Sequence, residues 1–383
     1  MNNRLKLINT ILGGLLLTMM LTHLSPALAA DARVYFGTYT NGRDSKGIYT
    51  CTFDLTTGKL GPLELAAEAV NPSYVACSPD GKFLFSADEG AHGQVTAYRV
   101  KSDGTLIVLN QQDAGGGATC FVWVDSAGRN VLAANYGGGN ISSFPVLPDG
   151  SLGPRSAFVQ FTGSGPNPSR QKQPHAHSIY TDPGSRFVYA CDLGTDNIWI
   201  YKYDDAHGTI DSDSVRTART PPGAGPRHLA FHPNGRYVYV TNEMGLNVSV
   251  FARDESSGAL TPLQVIPTLP DGSPNAAVSS TAEIAVHPTG HWVYVSNRGD
   301  DNIATYAVGS DGKLTWIEDA PAEVVMPRGF AIDPTGKWMI SAGQKDNKIA
   351  VLAIDQNTGR LTPTDQTETV GSPVCVVFAP TRP

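Results

Sequence analysis

Charged residues make up only 16% of this chain, and basic residues are the scarcer kind, with 28 Lys and Arg against 35 Asp and Glu. The net charge of −7 disfavours nucleic acid or an anionic membrane surface as a partner. The 5 cysteines show no CxxC or other metal-type spacing, so no metal or redox cofactor is expected. Beyond residue 30, no segment is long and apolar enough to span a bilayer.

The cysteines are too few, and too dispersed, to form a disulfide framework. Their number is odd, and each falls in a segment that reads as a strand. We therefore expect buried free thiols, and no nucleophilic cysteine, because none has an obvious base beside it. The five are Cys51, Cys77, Cys120, Cys191 and Cys375.

Residues 1–30 have the features of a secretory signal peptide. Arg4 and Lys6 precede a mainly apolar stretch, and Ala27-Leu28-Ala29 fits a signal-peptidase site. We predict cleavage near Ala29 or Ala30 and a mature protein that is periplasmic or secreted. An uncleaved membrane anchor is the alternative.

Glycine and proline are abundant, with 40 and 27 residues, and they punctuate a repeat. Its clearest copy, residues 226–243, reads as a short apolar strand, an X-Pro-X-Gly turn and a strand rich in Tyr and Val. Turns of this kind start at positions 78, 125, 182, 232, 287, 333 and 379. A period of roughly fifty residues with strand patterning is typical of a β-propeller, in which each repeat forms one four-stranded sheet.

The repeats indicate seven blades in one domain, residues 31–383. Seven later turn signals of the Gly-x-Leu or Gly-x-Ile type each predict a hairpin between the third and fourth strands. The segment 34–39 matches the second strand of a repeat, whereas 374–378 matches the first. We therefore predict an all-β, seven-bladed propeller in which one blade is completed by both chain ends, because an open ring would expose an unpaired edge.

Two columns of residues align at one end of the hairpin formed by the first and second strands, opposite the X-Pro-X-Gly turn. Since the first strand lines the central channel, both columns should ring one mouth of that channel. The column that begins the first strand is Ser73, Cys120, His177, Arg227, Ala282, Arg328 and Val374. The column that ends the second strand is Glu89, Tyr136, Leu193, Glu243, Arg298 and Gln344.

Charge in these columns gathers in the later repeats, which predicts an off-axis site at the mouth. Insertions at 160–173 and 269–280 both precede a first strand, so both should lie on this face and mark it as the binding side. His175, His228 and Glu283 stand one or two positions from the columns. His232 and His287, by contrast, are interpreted as turn residues.

The residue types in the columns fit a site that binds an anion and can transfer protons. The guanidinium group of arginine binds carboxylate or phosphate through two parallel hydrogen bonds, and it can stabilise an oxyanion. Glu243 or His177 could activate water or move a proton. The sequence has no nucleophile elbow, Gly-rich phosphate loop or metal-ligand pattern, so we expect direct hydrolysis or proton transfer without a cofactor.

At these residues the chain resembles the seven-bladed propeller lactonases, a family that includes 6-phosphogluconolactonases and the fungal carboxy-cis,cis-muconate cyclase. The matching phrases are Gly37-Thr38-Tyr39-Thr40, Asn135-Tyr136-Gly137-Gly138-Gly139, Pro174-His175-Ala176-His177, Gly225-Pro226-Arg227-His228, Asn242-Glu243, Ala282-Glu283-Ile284, Ser296-Asn297-Arg298-Gly299, Pro327-Arg328-Gly329-Phe330 and Ala342-Gly343-Gln344.

The resemblance implies ring opening of a sugar-acid lactone, a small-molecule substrate, or the related lactone-forming cyclisation of a muconate. We expect a monomer or dimer. The family's catalytic His, Arg, Glu and Arg fall on His177, Arg227, Glu243 and Arg298, with His175 as the other candidate histidine. The expected substrate-binding residues are Arg328, His228, Glu283, Gln344 and His175.

Three functions stay open at this point. The first is an exported lactonase, the second a lyase or isomerase of the muconate-cyclase type, and the third a non-catalytic propeller that binds a ligand or partner through the two insertions. The export signal does not fit a 6-phosphogluconolactonase, which acts on a cytoplasmic intermediate, because phosphorylated sugars are scarce outside the cytoplasm. An unphosphorylated lactone is the alternative substrate.

Overall fold

The structure, a computed structural model, describes residues 31–380, and the predicted signal peptide lies outside that range. Twenty-eight β-strands form seven four-stranded sheets. The one helical element among the described residues is a 3-10 turn, Ala276–Val278. None of the helical structure in this part of the chain is long and apolar enough to cross a membrane.

The strands follow the predicted order, outward from the ring axis, within each blade. The chain starts with β1 (Asp31–Thr38), β2 (Gly47–Asp54) and β3 (Glu64–Glu68). Blade 1 contains β4 (Pro72–Cys77), β5 (Phe83–Asp88), β6 (Gln94–Val100) and β7 (Leu106–Asp113). Blade 2 contains β8 (Thr119–Val124), β9 (Asn130–Asn135), β10 (Asn140–Pro145) and β11 (Ala157–Gln160). Blade 3 contains β12 (Ala176–Thr181), β13 (Phe187–Asp192), β14 (Asn197–Asp204) and β15 (Thr209–Arg219).

The later blades repeat the same arrangement. Blade 4 contains β16 (Pro226–Phe231), β17 (Tyr237–Asn242), β18 (Asn247–Arg253) and β19 (Leu260–Pro267). Blade 5 contains β20 (Ser280–Val286), β21 (Trp292–Arg298), β22 (Asn302–Val308) and β23 (Leu314–Pro321). Blade 6 contains β24 (Pro327–Ile332), β25 (Trp338–Gly343), β26 (Lys348–Ile354) and β27 (Leu361–Thr369), and the last strand is β28 (Pro373–Phe378).

The two chain ends complete blade 7, as predicted. Its strand order is β28-β1-β2-β3, with β28 antiparallel to β1 from Val34↔Phe378 to Thr38↔Pro373. The first strand of every blade contacts the first strand of the next, and β28 contacts β4, which closes the ring. The seven-bladed propeller and its mode of closure are therefore confirmed.

The X-Pro-X-Gly turns form where the repeat predicts them. In blade 4 the Gly235 N–H donates to the carbonyl of His232 at 2.8 Å. His232 Nδ1 accepts the Asn234 N–H of its own turn, and Nε2 lies 3.0 Å from the Gly290 carbonyl of the next blade. His287 makes the same contacts one blade further on. Both histidines are thus turn residues, as predicted.

Buried tyrosines join neighbouring blades. In four blades a tyrosine of the second strand donates its hydroxyl to the carbonyl of the glycine that opens the Gly-x-Leu signal of the next blade. These glycines have positive φ, between 71° and 88°, which a residue with a Cβ rarely adopts. The pairs are Tyr35 with Gly104, Tyr189 with Gly258, Tyr239 with Gly312 and Tyr294 with Gly359.

All five cysteines are unpaired and lie on strands, as expected. Four are buried, whereas Cys77 is half-buried. Burial raises the pKa of Cys51, Cys77 and Cys191 to about 12, so these thiols stay protonated and unreactive near neutral pH.

Removal of residues 372–383 deletes β28, so β1 loses a partner strand and the first strands of blades 1 and 6 lose their common neighbour. Because Val34 and Phe36 of β1 are fully buried, we expect the shortened protein to fail to fold cooperatively. Thermal unfolding by circular dichroism tests this, with a chain ending at Pro380 as the control. A melting transition that matches the control would contradict closure by β28.

Candidate active site at one mouth of the ring

A β-bulge near the start of the first strand positions the first predicted column. In blade 4, Pro226 pairs with Asn242 and His228 with Thr241, so Arg227 has no cross-strand partner. His177 and Arg328 are the corresponding extra residues of blades 3 and 6. A bulge bends the strand locally and re-aims a side chain. The column found by aligning the repeats is therefore a ring of bulge residues.

Glu243 is the centre of the charged cluster. It follows the last residue of β17, and its N–H still bonds to the Gly225 carbonyl, so it extends the hairpin to the mouth. Its Oε2 lies 3.2 Å from Arg227 Nε and 3.1 Å from Arg298 Nη2. Both arginines are almost completely buried, and this carboxylate neutralises part of their charge.

Arg170, which belongs to neither predicted column, is the third arginine bound to Glu243. It belongs to the insertion after β11, and its Nη2 donates to Glu243 Oε1 at 2.8 Å and to the Tyr136 hydroxyl at 3.1 Å. The neighbouring Gln171 is fully buried and bonds to the Leu193 carbonyl and to Asp196, which anchors the insertion. We predicted that this insertion marks the binding side, but not that Arg170 belongs to the site. The aligned columns contain only residues of the repeated strands, and Arg170 lies outside them.

The arginines decide the ionisation of Glu243. Burial alone would raise the pKa of this carboxyl group, but the three arginines more than offset it and hold the pKa well below its usual range. Burial lowers the pKa of Arg298 to about 10, against the opposing effect of Glu243. At neutral pH the cluster therefore contains an ionised carboxylate and charged guanidinium groups.

His177 faces this cluster as a neutral imidazole. Its Nε2 lies 4.0 Å from Glu243 Oε2, and its Nδ1 lies 3.9 Å from Cys120 Sγ. Burial, together with the charge of Arg227 and other neighbours, lowers the pKa of His177 well below its usual range. A neutral ring with a free nitrogen next to a carboxylate can accept a proton from water.

A cavity of about 140 Å³ opens between these groups. Arg227 and Arg298 do not line it, because they lie behind Glu243, and the arginines that reach it are Arg170 and Arg328. It also extends further into blades 1 and 2 than the charge pattern predicted. Its lining residues are Glu89, Cys120, Tyr136, Arg170, His177, Glu243 and Arg328.

His228 and Glu283, predicted to bind substrate, lie behind Arg227 and do not line this cavity. His228 Nδ1 is 2.9 Å from Glu283 Oε1, and Nε2 is 3.3 Å from Arg227 Nη1. Burial lowers the pKa of His228 to about 4 despite the carboxylate beside it. The neutral ring therefore donates to Glu283 and accepts from Arg227, which fixes the arginine in place. Glu283 instead lines a separate, largely apolar cavity of about 550 Å³ on the side of the X-Pro-X-Gly turns.

The other predicted binding residues lie around the mouth but outside the lining of the cavity. The His175 ring stacks on Tyr136, with centroids 4.4 Å apart, and its Nδ1 lies 2.9 Å from the Tyr136 carbonyl. Gln344 directly follows β25 in blade 6 and is half-buried, and its backbone carbonyl accepts a hydrogen bond from the Ser372 hydroxyl. Between the two candidate histidines, only His177 lines the cavity and approaches Glu243.

Glu243→Gln leaves two buried arginines without their counter-ion, so we expect it to lower the free energy of unfolding by ~3–5 kcal/mol. The matched control is Glu318→Gln, which removes a partly exposed pair with Arg360 and should cost about 1 kcal/mol or less. Denaturant unfolding of both variants measures the difference.

The same variants predict a pH dependence. Because the folded pKa of Glu243 is lowered, its stabilisation is present above the unfolded-state pKa of about 4.3 and is lost as the pH falls towards the folded value. The stability gap between wild type and Glu243→Gln should therefore shrink below about pH 4. A gap that widens on acidification would contradict the ionised pairing.

Comparison with known proteins agrees with this fold. A family model described as a 7-bladed β-propeller lactonase matches residues 33–378. A 6-phosphogluconolactonase of Bacillus subtilis is 38% identical over 349 residues, which cover 90% of this chain and 97% of that protein. A 6-phosphogluconolactonase of Formosa agariphila is 31% identical over 306 residues, or 78% of this chain and 85% of that protein.

The solved structures include a closely similar fold. The periplasmic gluconolactonase of Pseudomonas aeruginosa superposes with a TM-score of 0.85 at 32% identity, and the match covers 92% of this chain and 100% of that one. The resemblance predicted from the sequence motifs is thereby confirmed. The chain belongs to the family of seven-bladed β-propeller lactonases.

Proposed function

We propose that this chain is an exported lactonase that opens an unphosphorylated sugar-acid lactone by adding water. The observation that carries the proposal is the pairing of an ionised Glu243 with a neutral His177 at the wall of a cavity that two guanidinium groups also reach. Family membership and the lactonase names of the relatives support the reaction class.

The size of the cavity suits one lactone ring. A protein cavity of about 150 Å³ holds a benzene-sized molecule, and the volume here is about 140 Å³. A ring of five or six atoms would fill it, and any longer substituent would extend into the open mouth. The polar lining, with Tyr136, Glu89 and Arg170, offers partners for ring hydroxyl groups.

Glu243 and His177 are placed to hold the attacking water. Oε2 and Nε2 lie 4.0 Å apart, so one water can hydrogen-bond to both at about 2.8 Å. With both hydrogens directed at these acceptors, a lone pair of the water faces the lactone carbonyl carbon. As the new C–O bond forms, one proton passes to the Glu243–His177 pair. That proton is then given to the ring oxygen when the ring C–O bond breaks, leaving a hydroxy acid.

Arg170 gives the pair a way to gain basicity. Its side chain is 42% exposed, whereas Arg227 and Arg298 are almost completely buried. A substrate that draws Arg170 away from Glu243 Oε1 would remove one of the charges that lower the pKa of Glu243. Arg227 and Arg298 would then orient the carboxylate from behind without contacting the substrate.

Export is proposed from the sequence of residues 1–30, and the periplasmic gluconolactonase among the similar structures supports it. A periplasmic or extracellular enzyme meets few sugar phosphates, so an unphosphorylated aldonolactone is the proposed substrate. Fractionation of cells that express the full chain, with mass spectrometry of the mature N-terminus, tests export. An intact N-terminus in the cytoplasmic fraction would contradict it.

Purified wild type should hydrolyse glucono-1,5-lactone faster than its phosphorylated form, measured by pH-stat above the spontaneous rate. Glu243→Gln and His177→Gln should each lower kcat by roughly 10²–10⁴, because each removes one acceptor for the proton of water. The turn variant His232→Gln is the control and should retain full activity.

Folding of each variant is checked by its melting temperature. Undiminished rates in both folded variants would refute the roles of the pair. Loss of muconate ultraviolet absorbance without lactone hydrolysis would instead favour a cyclase, and ligand-dependent thermal shifts without any turnover a binding propeller.

The lowered pKa of His177 predicts the shape of the pH profile. A histidine with an ordinary pKa of about 6.5 would be protonated, and lose its function as an acceptor, below that pH. Because the pKa of His177 lies well below its usual range, kcat/KM should stay level as the pH falls from 7.5 to 5.5. An acidic limb centred near pH 6.5 in wild type would show that His177 is not held neutral.

A further inference from the structure

Arg328 differs from the other arginines of the mouth because its guanidinium group has no hydrogen-bond or ion-pair partner in the described part of the chain. Arg170, Arg227 and Arg298 all bond to Glu243. Within residues 31–380, no carboxylate or carbonyl oxygen accepts a hydrogen bond from Arg328 or pairs with it. Desolvating a guanidinium group without hydrogen-bond acceptors is costly, so a half-buried one at a cavity wall indicates an acceptor that arrives with a ligand.

The surroundings hold Arg328 in place without using its N–H groups. It is the bulge residue of β24, and its Cζ lies 5.4 Å from the ring centroid of Tyr39. The Tyr39 hydroxyl donates to Glu89 Oε2 at 2.8 Å, which fixes the ring. An aromatic ring engages a guanidinium group through its face, so the N–H edge stays free to donate.

The charge balance of the site favours a developing anion. Four guanidinium groups, those of Arg170, Arg227, Arg298 and Arg328, stand against three carboxylates, those of Glu89, Glu243 and Glu283, so one positive charge is in excess. His177 is neutral and does not change this balance. Preorganised positive charge in a site that excludes water stabilises an oxyanion most effectively.

We propose that Arg328 is a catalytic residue that donates hydrogen bonds to the carbonyl oxygen of the lactone. This inference rests on the proposed lactonase function. When water attacks the carbonyl carbon, the π electron pair of the C=O bond moves to that oxygen, and Arg328 stabilises the negative charge. The pair returns when the tetrahedral intermediate collapses and expels the ring oxygen, which takes the proton held by the Glu243–His177 pair.

Arg227 and Arg298 are less suited to this role. Arg227 is 2% exposed and donates to Glu243, His228 and the Ala282 carbonyl. Arg298 lies behind Glu243 and donates to the Thr281 carbonyl. Because a lactone ring would fill the cavity of about 140 Å³, the substrate atom that reaches Arg328 belongs to the ring or its carbonyl group and not to a distant anionic substituent.

The test is a kinetic comparison of Arg328→Lys, Arg328→Met and Arg328→Ala with wild type on glucono-1,5-lactone and its 6-phosphorylated form. Loss of one oxyanion donor lowers kcat by roughly 10²–10³, so we expect Arg328→Met and Arg328→Ala to lose that much on both substrates. KM should change little, and Arg328→Lys should retain part of the rate. Added guanidinium chloride, at concentrations that leave the melting temperature unchanged, should partly restore Arg328→Ala.

Arg155→Met is the matched control. The Arg155 guanidinium also lies over an aromatic ring, 4.9 Å from the Phe158 centroid, but on the outer edge of blade 2, so its loss should leave kcat unchanged. A folded Arg328→Met with wild-type kcat would overturn the proposal, and so would a rise in KM confined to the phosphorylated substrate, which would mark an anion subsite. Absence of lactone hydrolysis by wild type would instead refute the proposed function itself.

Discussion

Pairing of β1 with β28 is the contact on which the other features of the site depend. Residues from blades 1, 2, 3, 4 and 6 line the cavity at the mouth, so the cavity exists only when all of these blades are in place. Tyr39 follows β1 in blade 7 and supports Arg328 of blade 6, so the blade that joins the chain ends also contributes to the site. Closure therefore sets the distances between groups that are up to about 240 residues apart in sequence, as Glu89 and Arg328 are.

The buried charges of the mouth impose a second constraint. Glu243 offsets the cost of burying Arg227 and Arg298, and these arginines in turn lower the pKa of Glu243 and keep it ionised. Of the four arginines at the mouth, only Arg170 and Arg328 line the cavity, together with Glu243 and His177. Arg227 and Arg298 only hold the carboxylate, Arg328 only lines the cavity, and Arg170 does both.

Much of this was predictable because a repeat constrains geometry. The spacing of the X-Pro-X-Gly turns predicted a propeller, the seven later hairpin signals predicted the number of blades, and the different strands at the two termini predicted the closure. Aligned columns brought His177, Arg227, Glu243, Arg298 and Arg328 to one mouth. A repeat alignment reports the position along a strand, however, and not the direction of a side chain. It could not show that Arg227 points behind Glu243 or that His228 bonds to Glu283.

Arg170 shows the second limit of the sequence. It lies in an insertion outside the repeated strands, and it reaches Glu243 because Gln171 anchors the loop to blade 3. The residues of an insertion do not form the strands of the repeat. They can therefore differ between relatives while the ring stays the same. The exposed arginine that pairs with Glu243 is therefore the part of the site least tied to the fold. Differences in substrate within the family should arise first in this insertion, since the bulge residues are constrained by the ring itself.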